Sequence, residues 1–432
     1  MSTAQIAAPA REAQGDAAGA AGWNQRCRFC AHPLAHSMVD LGMSPLSNAY
    51  LRAEQLQEME RFYPLHALVC ERCFLVQLGE FESPERIFSD YAYFSSFSDS
   101  WLRHARDYVA MISERLRLGR ESRVVEIASN DGYLLQYFAQ KEIPVLGIEP
   151  AANVARAAEE RGVPSLVRFF GAELARELAG EGRQADLIVG NNVLAHVPAL
   201  NDFVAGLKLL LAPRGVVTME FPHLLRLLEE NQFDTIYHEH FSYFSFTTAE
   251  TLFAAHGLVL FDVEELPTHG GSLRIYARHR EDGSQGVRPA VAALKRREQE
   301  CGITRLESYA RFSERVKATK RRLLDFLIRA KEEGRRVVGY GAAAKGNTLL
   351  NYCGVGLDFL DYVVDRSPHK QGLFLPGTHI PIHAPERIEQ TQPDYVLILP
   401  WNLAEEIMEQ MAGIREWGGR FVVPIPEVEV LS

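Results

Sequence analysis

The sequence predicts an α/β protein, with a small cysteine-bearing lobe followed by two zones in which strand and helix patterns alternate. Three observations carry that expectation. Short β-rich apolar runs separated by helical patterns recur from about residue 120 to 280, and again from about 335 onward. Each zone opens with a strand, a turn of small residues and a helix. Ahead of both stand two Cys-x-x-Cys pairs. Alternating strand and helix implies a parallel sheet covered by helices on both faces.

The first 23 residues are rich in Ala and Gly. They lack the basic and apolar regions of a secretory leader and read as a disordered tail. The lobe follows over residues 24–85. "CRFC" carries Cys27 and Cys30, and "CERC" carries Cys70 and Cys73. The other two of the six cysteines, Cys301 and Cys353, stand alone. Paired Cys-x-x-Cys in a large chain without a leader reads as metal binding rather than disulfide. Four thiolates complete a tetrahedron around Zn²⁺ and leave no open position, so the site is expected to be structural. "FYPLHALVC" and "FLVQLGEF" read as strands flanking the second pair.

The central zone spans residues 86–285. An aromatic loop passes into an amphipathic helix from about Ser100. "SRVVEIAS", "PVLGIEP", "PSLVRFF", "ADLIVGNN" and "GVVTMEFP" follow as strands. "AANVARAAEERG" and "GAELARELAGEG" are helices between them, and "LVLFDVEEL" with "GSLRIYARH" is a closing antiparallel pair. In "VVEIASNDGYLL", Ala128, Asn130 and Gly132 supply small residues where backbone approaches a ligand beside a helix N-terminus. Glu149 ends the next strand, where a carboxylate can accept both hydroxyls of a ribose. Glu126 and Asp131 make this turn acidic, and it has no lysine. That suits a cationic, phosphate-free cofactor such as S-adenosylmethionine better than NAD or ATP. Asn191, Asn192 and His196 lie at the carboxyl end of the fourth strand, where open α/β sheets bind ligands.

The third zone, residues 286–432, begins with charged helices and continues into "RVVGYGAAAKGNTLLNYCG". Gly339, Gly341 and Ala344 match G-x-G-x-x-A, and Asp365 ends the next strand, so this turn is a rival NAD site on spacing. Lys345 and Asn347 stand at the helix start, suited to a substrate pyrophosphate. In "THGGSLRIYARH", His269 and Gly270 precede a strand, and the glycines allow backbone to approach substrate. The zone reads as a second Rossmann-like unit that binds substrate.

"YHEHFSYFS" is the densest chemistry in the chain. It places Tyr237, His238, Glu239, His240 and Tyr243 together. Burying such groups unpaired costs about 1–3 kcal/mol each, so a core has no use for them. A site that moves a proton does, with His240 as base and Glu239 or another carboxylate orienting the imidazole.

Composition narrows the partners. A net charge of −10 argues against coating nucleic acid. No apolar run approaches the roughly 20 residues of a membrane helix. A cytoplasmic monomer acting on a small molecule is expected.

The ordered series of zinc knuckles, "EIASNDG", "YHEH", "HGGSLR" and "GAAAKGN" resembles the deoxysugar C-methyltransferases, typified by the tetronitrose C-3 methyltransferase. The resemblance spans residue 24 to the C-terminus. It implies a zinc lobe, a class I S-adenosylmethionine core and a C-terminal domain, acting on a nucleotide-linked 4-keto-6-deoxysugar with dTDP as the expected carrier. It places a general base on His240, partners on Tyr237 and Glu239, a further active-site histidine on His196, and a tyrosine of the "DYAYFSS" loop on Tyr91, with Tyr93 beside it. Ala128 stands where a glycine is common in the family. The alternatives are an O- or N-methyltransferase on the same fold, which needs less base, and a non-catalytic zinc-ribbon interaction protein.

Overall fold

The structure is a computed structural model that describes residues 26–88 and 95–431. The expected N-terminal tail, Tyr91 and Tyr93 lie outside the described residues.

The chain opens with strands His36–Ser44 (β1), Tyr63–Val69 (β2) and Val76–Gln77 (β3). The central zone supplies Val124–Ile127 (β4), Val145–Ile148 (β5), Ser165–Leu166 (β6), Ala185–Asn191 (β7) and Leu211–Pro222 (β8). Ser242–Tyr243 (β9) follows, then Leu258–Leu266 (β10) and Ser272–His279 (β11). The C-terminal zone holds Val337–Tyr340 (β12), Val363–Val364 (β13), Ile382–His383 (β14), Tyr395–Ile398 (β15), Arg420–Val423 (β16) and Glu429–Leu431 (β17).

The central sheet runs β10-β11-β8-β7-β4-β5-β6. Neighbours from β6 to β8 pair in parallel, and β11 and β10 close the sheet antiparallel. This is the alternation and the closing pair that the sequence predicts. Its strands are short apolar runs buried on both faces, as parallel strands are. The chain turns from building toward β6 to building toward β8 between β4 and β7. A crevice for ligands opens there, at the carboxyl ends.

The helix Asp99–Leu116 begins where expected. Ser98 caps it by accepting from Trp101 N at 3.3 Å. Its stripe Ala105, Tyr108, Val109 and Ile112 has the spacing of one helical face and is buried. The long helix Leu306–Glu332 turns its charges outward and buries Tyr309, Phe312, Val316, Leu323 and Leu327.

The C-terminal sheet runs β14-β13-β12-β15-β16-β17, parallel except for β17 at the edge. It is a second Rossmann-like layer, with the helix Ala344–Cys353 after β12.

The lobe is less separate than the sequence suggests. Its sheet is β1-β2-β3-β9, so the fourth strand comes from the central zone. Ser242 pairs with Gln77, Tyr243 with Val76, and Leu78 N donates to Phe241 O at 3.0 Å. Cys27, Phe29, Cys70 and Leu75 join the core of the central sheet, and Met38, Leu65 and Val69 join that of the C-terminal zone. A lobe this small has no core of its own and borrows two. Nothing in "YHEHFSYFS" signals a strand, because two residues of ladder leave no period to read.

Candidate active site and metal centre

The two Cys-x-x-Cys pairs fold alike. Ala31 N donates to Cys27 O at 2.9 Å, and Phe74 N to Cys70 O at 2.8 Å. Ala31 and Phe74 both take left-handed φ, 56° and 58°. The turns bring all four sulfurs within 4.8 Å of one another. Cys27 Sγ is 3.5 Å from Cys73 Sγ, and Cys30 Sγ is 3.5 Å from Cys70 Sγ. Four sulfurs at ~2.3 Å from Zn²⁺ stand ~3.8 Å apart in a tetrahedron, so the donor set fits zinc. Gln77 links this cluster to β9. Its amide donates to Cys27 Sγ at 3.3 Å and accepts from Arg28 N at 2.9 Å, while its backbone pairs with Ser242.

The turn after β4 is tightly wound. Ala128, Asn130 and Gly132 take φ of 57°, 50° and 74°. For Ala and Asn this costs about 1–2 kcal/mol each, and the surroundings must hold them there. Glu149 does so from the end of β5. Its carboxylate accepts from Asn130 N at 3.0 Å and Ala151 N at 2.9 Å. Burial raises its pKa and these two N–H groups oppose the rise. Glu126 is fully buried beneath the turn. Burial pushes its pKa well up, opposed by the Tyr133 hydroxyl. Ser129 Oγ and Asp131 Oδ1 are buried without hydrogen-bond partners. Asp131 pairs through Oδ2 with Arg161 at 2.8 Å, and the spare buried acceptors beside it fit a phosphate-free cofactor such as S-adenosylmethionine. Asn191 extends from β7 to within 3.5 Å of the Tyr133 hydroxyl.

Asn192 and His269 meet across the crevice at 3.1 Å, Nδ2 to Nε2, and both have φ of 55°. Two strained non-glycine residues facing each other mark this spot as constrained for something other than packing. His269 is exposed to solvent. Trp101 lies beside it at 5.2 Å between ring centres, and stacks on Tyr133 at 6.0 Å. Gly270 is pressed by Trp401, whose ring is 2.6 Å from where a Cβ would stand. No side chain fits at that position.

His240 has its ring centre 4.7 Å from His196 and 4.1 Å from Tyr237. Its Nδ1 is 3.0 Å from Thr235 O. A carbonyl only accepts, so Nδ1 carries the proton and Nε2 presents a lone pair. Burial, and then His196, hold the His240 pKa well below its ordinary 6.5. Burial takes His196 down to about 4. Both rings are neutral near pH 7.

Two expectations change here. Glu239 does not orient the imidazole; it accepts from Asn48 Nδ2 at 2.6 Å, and the Thr235 carbonyl takes the place behind His240. Burial pushes Glu239 up to about 7. Asn347 is buried rather than free at the helix start; its amide nitrogen donates to Ser47 O at 2.6 Å, tying the lobe to the C-terminal helix, while its Oδ1 is buried without a partner. His238 points out of the cavity toward Pro64 O, 3.2 Å away, between the rings of Tyr63 and Phe81.

The rival G-x-G-x-x-A turn is occupied by the protein itself. A Cβ on Gly339 would meet Val363 at 2.7 Å, and one on Gly341 would meet Pro400 at 2.4 Å. Asp365 accepts from Ala342 N and Ser367 N, both at 2.8 Å. Tyr50 and Lys370 both donate to Ala342 O. These glycines answer close packing, and Lys370 Nζ stands 3.5 Å from the Asp365 carboxylate.

Thr235, Asp234, Asn48, Trp101 and Trp401 all join the site, and sequence reasoning passes over them. Trp401 Nε1 donates to Asp234 Oδ2 at 2.8 Å across 167 positions of sequence. No local pattern carries such a contact.

Comparison with known proteins agrees with this layout. A zinc binding domain family matches residues 27–88, a methyltransferase domain residues 101–263, and a C-methyltransferase C-terminal domain residues 267–426. C-methyltransferase NovU of Streptomyces niveus is 40% identical over 409 residues, covering 94% of this chain and 96% of that protein. Among solved structures, the PH0226 protein of Pyrococcus horikoshii OT3 overlaps 46% of this chain and 99% of its own at 17% identity and a TM-score of 0.36. An S-adenosylmethionine-dependent methyltransferase of Clostridium acetobutylicum ATCC 824 overlaps 41% and 92% at 10% identity and a TM-score of 0.33. Matched over nearly its whole length, the chain belongs to the zinc-containing, S-adenosylmethionine-dependent C-methyltransferases.

Proposed function

We propose that this chain methylates a carbon next to the ketone of a nucleotide-linked 4-keto-6-deoxysugar, with dTDP as carrier, and that His240 is the general base. The observation that carries the reading is the His240 tautomer. Thr235 O fixes Nδ1–H, and a neutral imidazole turns its Nε2 lone pair away from that bond, with His196 and Tyr237 beside the ring. Transfer to a carbon needs such a base, because the carbon must first lose a proton.

In this reading His240 Nε2 takes the proton, the C–H bond breaks, and the electron pair becomes an enolate. Tyr237 and His196 flank that charge as it develops. Bound S-adenosylmethionine supplies an electrophilic methyl group. Glu126, Ala128, Asn130, Gly132 and Glu149 hold the cofactor, with Asn191 and Asn192 between it and the substrate. Glu149 keeps lone pairs for the ribose beyond the two it gives to the turn. His269 and Gly270 form the substrate wall, and residues 286–432 are the substrate domain. The zinc, on Cys27, Cys30, Cys70 and Cys73, acts through structure, since it fixes β3, which pairs with the strand following His240.

The test is the product. Methyl-labelled S-adenosylmethionine is supplied with a panel of nucleotide-linked 4-keto-6-deoxysugars, and the label is located by NMR and mass spectrometry. A new carbon–carbon bond beside the ketone is expected; a methyl on oxygen or nitrogen rejects the reading. Elemental analysis should give about one zinc per chain. Active protein without metal would overturn the zinc assignment.

A further inference from the structure

Lys345 stands in the first turn of the helix Ala344–Cys353, which packs against the segment Phe233–Thr235 ahead of His240. Its positive charge acts to lower the pKa of both His240 and His269. Nζ donates to Asn402 Oδ1 at 2.6 Å and lies 4.5 Å from the centre of the Trp401 ring. Trp401 in turn presses on Gly270, next to His269, and donates to Asp234. Asp234 precedes Thr235, whose carbonyl holds His240. One turn therefore presents both the counter-charge of Lys345 and the carbonyl behind the base.

Lys345 is half-buried, with its Nζ seated by Trp401 and Asn402; burial lowers its pKa and the Asp234 carboxylate opposes that fall. A desolvated cation is worth most beside charge that appears only during reaction.

We propose that Lys345 is a catalytic residue, whose ammonium stabilises the negative charge on the substrate oxygen as His240 removes the carbon-bound proton. The proposal rests on the reading of His240 given above. The C–H bond breaks, the proton goes to Nε2, and the electron pair moves into the enolate, whose oxygen faces Nζ. The ammonium stays protonated throughout. The same cation adds, after burial and His196, to what keeps His240 neutral, because two positive charges repel.

The experiment compares wild type, Lys345→Met, Lys345→Gln and His240→Asn in deuterated buffer with dTDP-4-keto-6-deoxyglucose. Deuterium uptake next to the ketone is followed without methyl donor, and methyl transfer is followed with it. Binding of dTDP alone is measured by calorimetry. Removing a donor from a developing oxyanion typically costs about 10²–10³-fold. Both Lys345 variants should lose uptake and kcat by about that factor while dTDP affinity stays within twofold. Glutamine keeps a polar contact for Asn402, so it guards against a packing defect in the methionine variant. Wild-type kcat with a tenfold or greater loss of dTDP affinity would mean that Lys345 binds pyrophosphate, and overturns the proposal. His240→Asn with wild-type uptake and kcat would break the base reading itself, a result the Lys345 variants cannot produce. Should the closed site block uptake even in wild type, kcat decides alone.

Discussion

The turn at residues 128–132 and the turn at residues 341–343 both join a parallel strand to a helix, and both carry small residues before an acidic strand end. They differ in what surrounds them. At the first, left-handed Ala128 and Asn130 are held by Glu149, while Ser129 Oγ and Asp131 Oδ1 remain buried without partners. At the second, Ala342 O accepts from Tyr50 and Lys370, Asp365 is taken by Ala342 N and Ser367 N, and Pro400 fills the space beside Gly341. A nucleotide-binding turn leaves polar groups waiting and backbone uncovered. A packing turn uses both. Sequence spacing alone cannot separate the two, because the same glycines serve a ligand or a neighbouring side chain.

The comparison can be broken by exchanging the expected losses. Glu149→Ala should weaken S-adenosylmethionine binding by about 1.5–3 kcal/mol, since charge-assisted hydrogen bonds to the turn and the ribose go together. Unchanged calorimetric affinity would show that the first turn is not the cofactor site. Gly341→Ala should act differently. Its φ of 91° and Pro400 at 2.4 Å make the new Cβ both strained and crowded, so about 1–3 kcal/mol of stability is lost in urea unfolding. Cofactor affinity should stay within twofold. The smallest effect belongs to Asp365→Asn. It should leave S-adenosylmethionine binding alone, and NAD titrated into wild type or variant should give no heat. A saturable NAD signal that Asp365→Asn abolishes would restore the rival site.

The same contrast explains what the sequence reveals. Strands such as "VVEI" and "VLGI", the amphipathic stripe from Ala105 to Ile112, and the paired cysteines are all legible, because a local period or spacing encodes each. Tyr237, His240, His196 and His269 are legible as chemistry without a reason to be core. The strand Ser242–Tyr243 is not, nor are Asn48 on Glu239, Trp401 on Asp234 or Thr235 behind His240. Those contacts join positions up to 191 residues apart and depend on how three units pack. A carboxylate is the expected partner behind the imidazole, and a backbone carbonyl, which any residue provides, stands there instead. Asn347 misleads for the opposite reason. A polar residue at a helix start resembles a ligand contact, yet its Nδ2 donates to Ser47 O and only its buried Oδ1 has no partner.

The pH profile separates the two acid–base candidates of "YHEH". An imidazole base must be neutral to accept a proton. The His240 pKa lies well below 6.5, so the proton occupies it only in more acidic solution. Single-turnover methyl transfer should be flat from pH 8 down to about 6.5 and fall below that. Glu239 is pushed up to about 7 by burial. An acid limb centred near 7 would assign the essential anion to Glu239 instead.

The central claim is that His240 makes carbon methylation possible. The most direct measurement is single-turnover methyl transfer by His240→Asn, with affinity for S-adenosylmethionine and dTDP measured on the same preparation. The account predicts that both affinities hold and the rate falls about 10²–10⁴-fold, the usual loss on removing a general base. Retained methylation at the wild-type rate would contradict it.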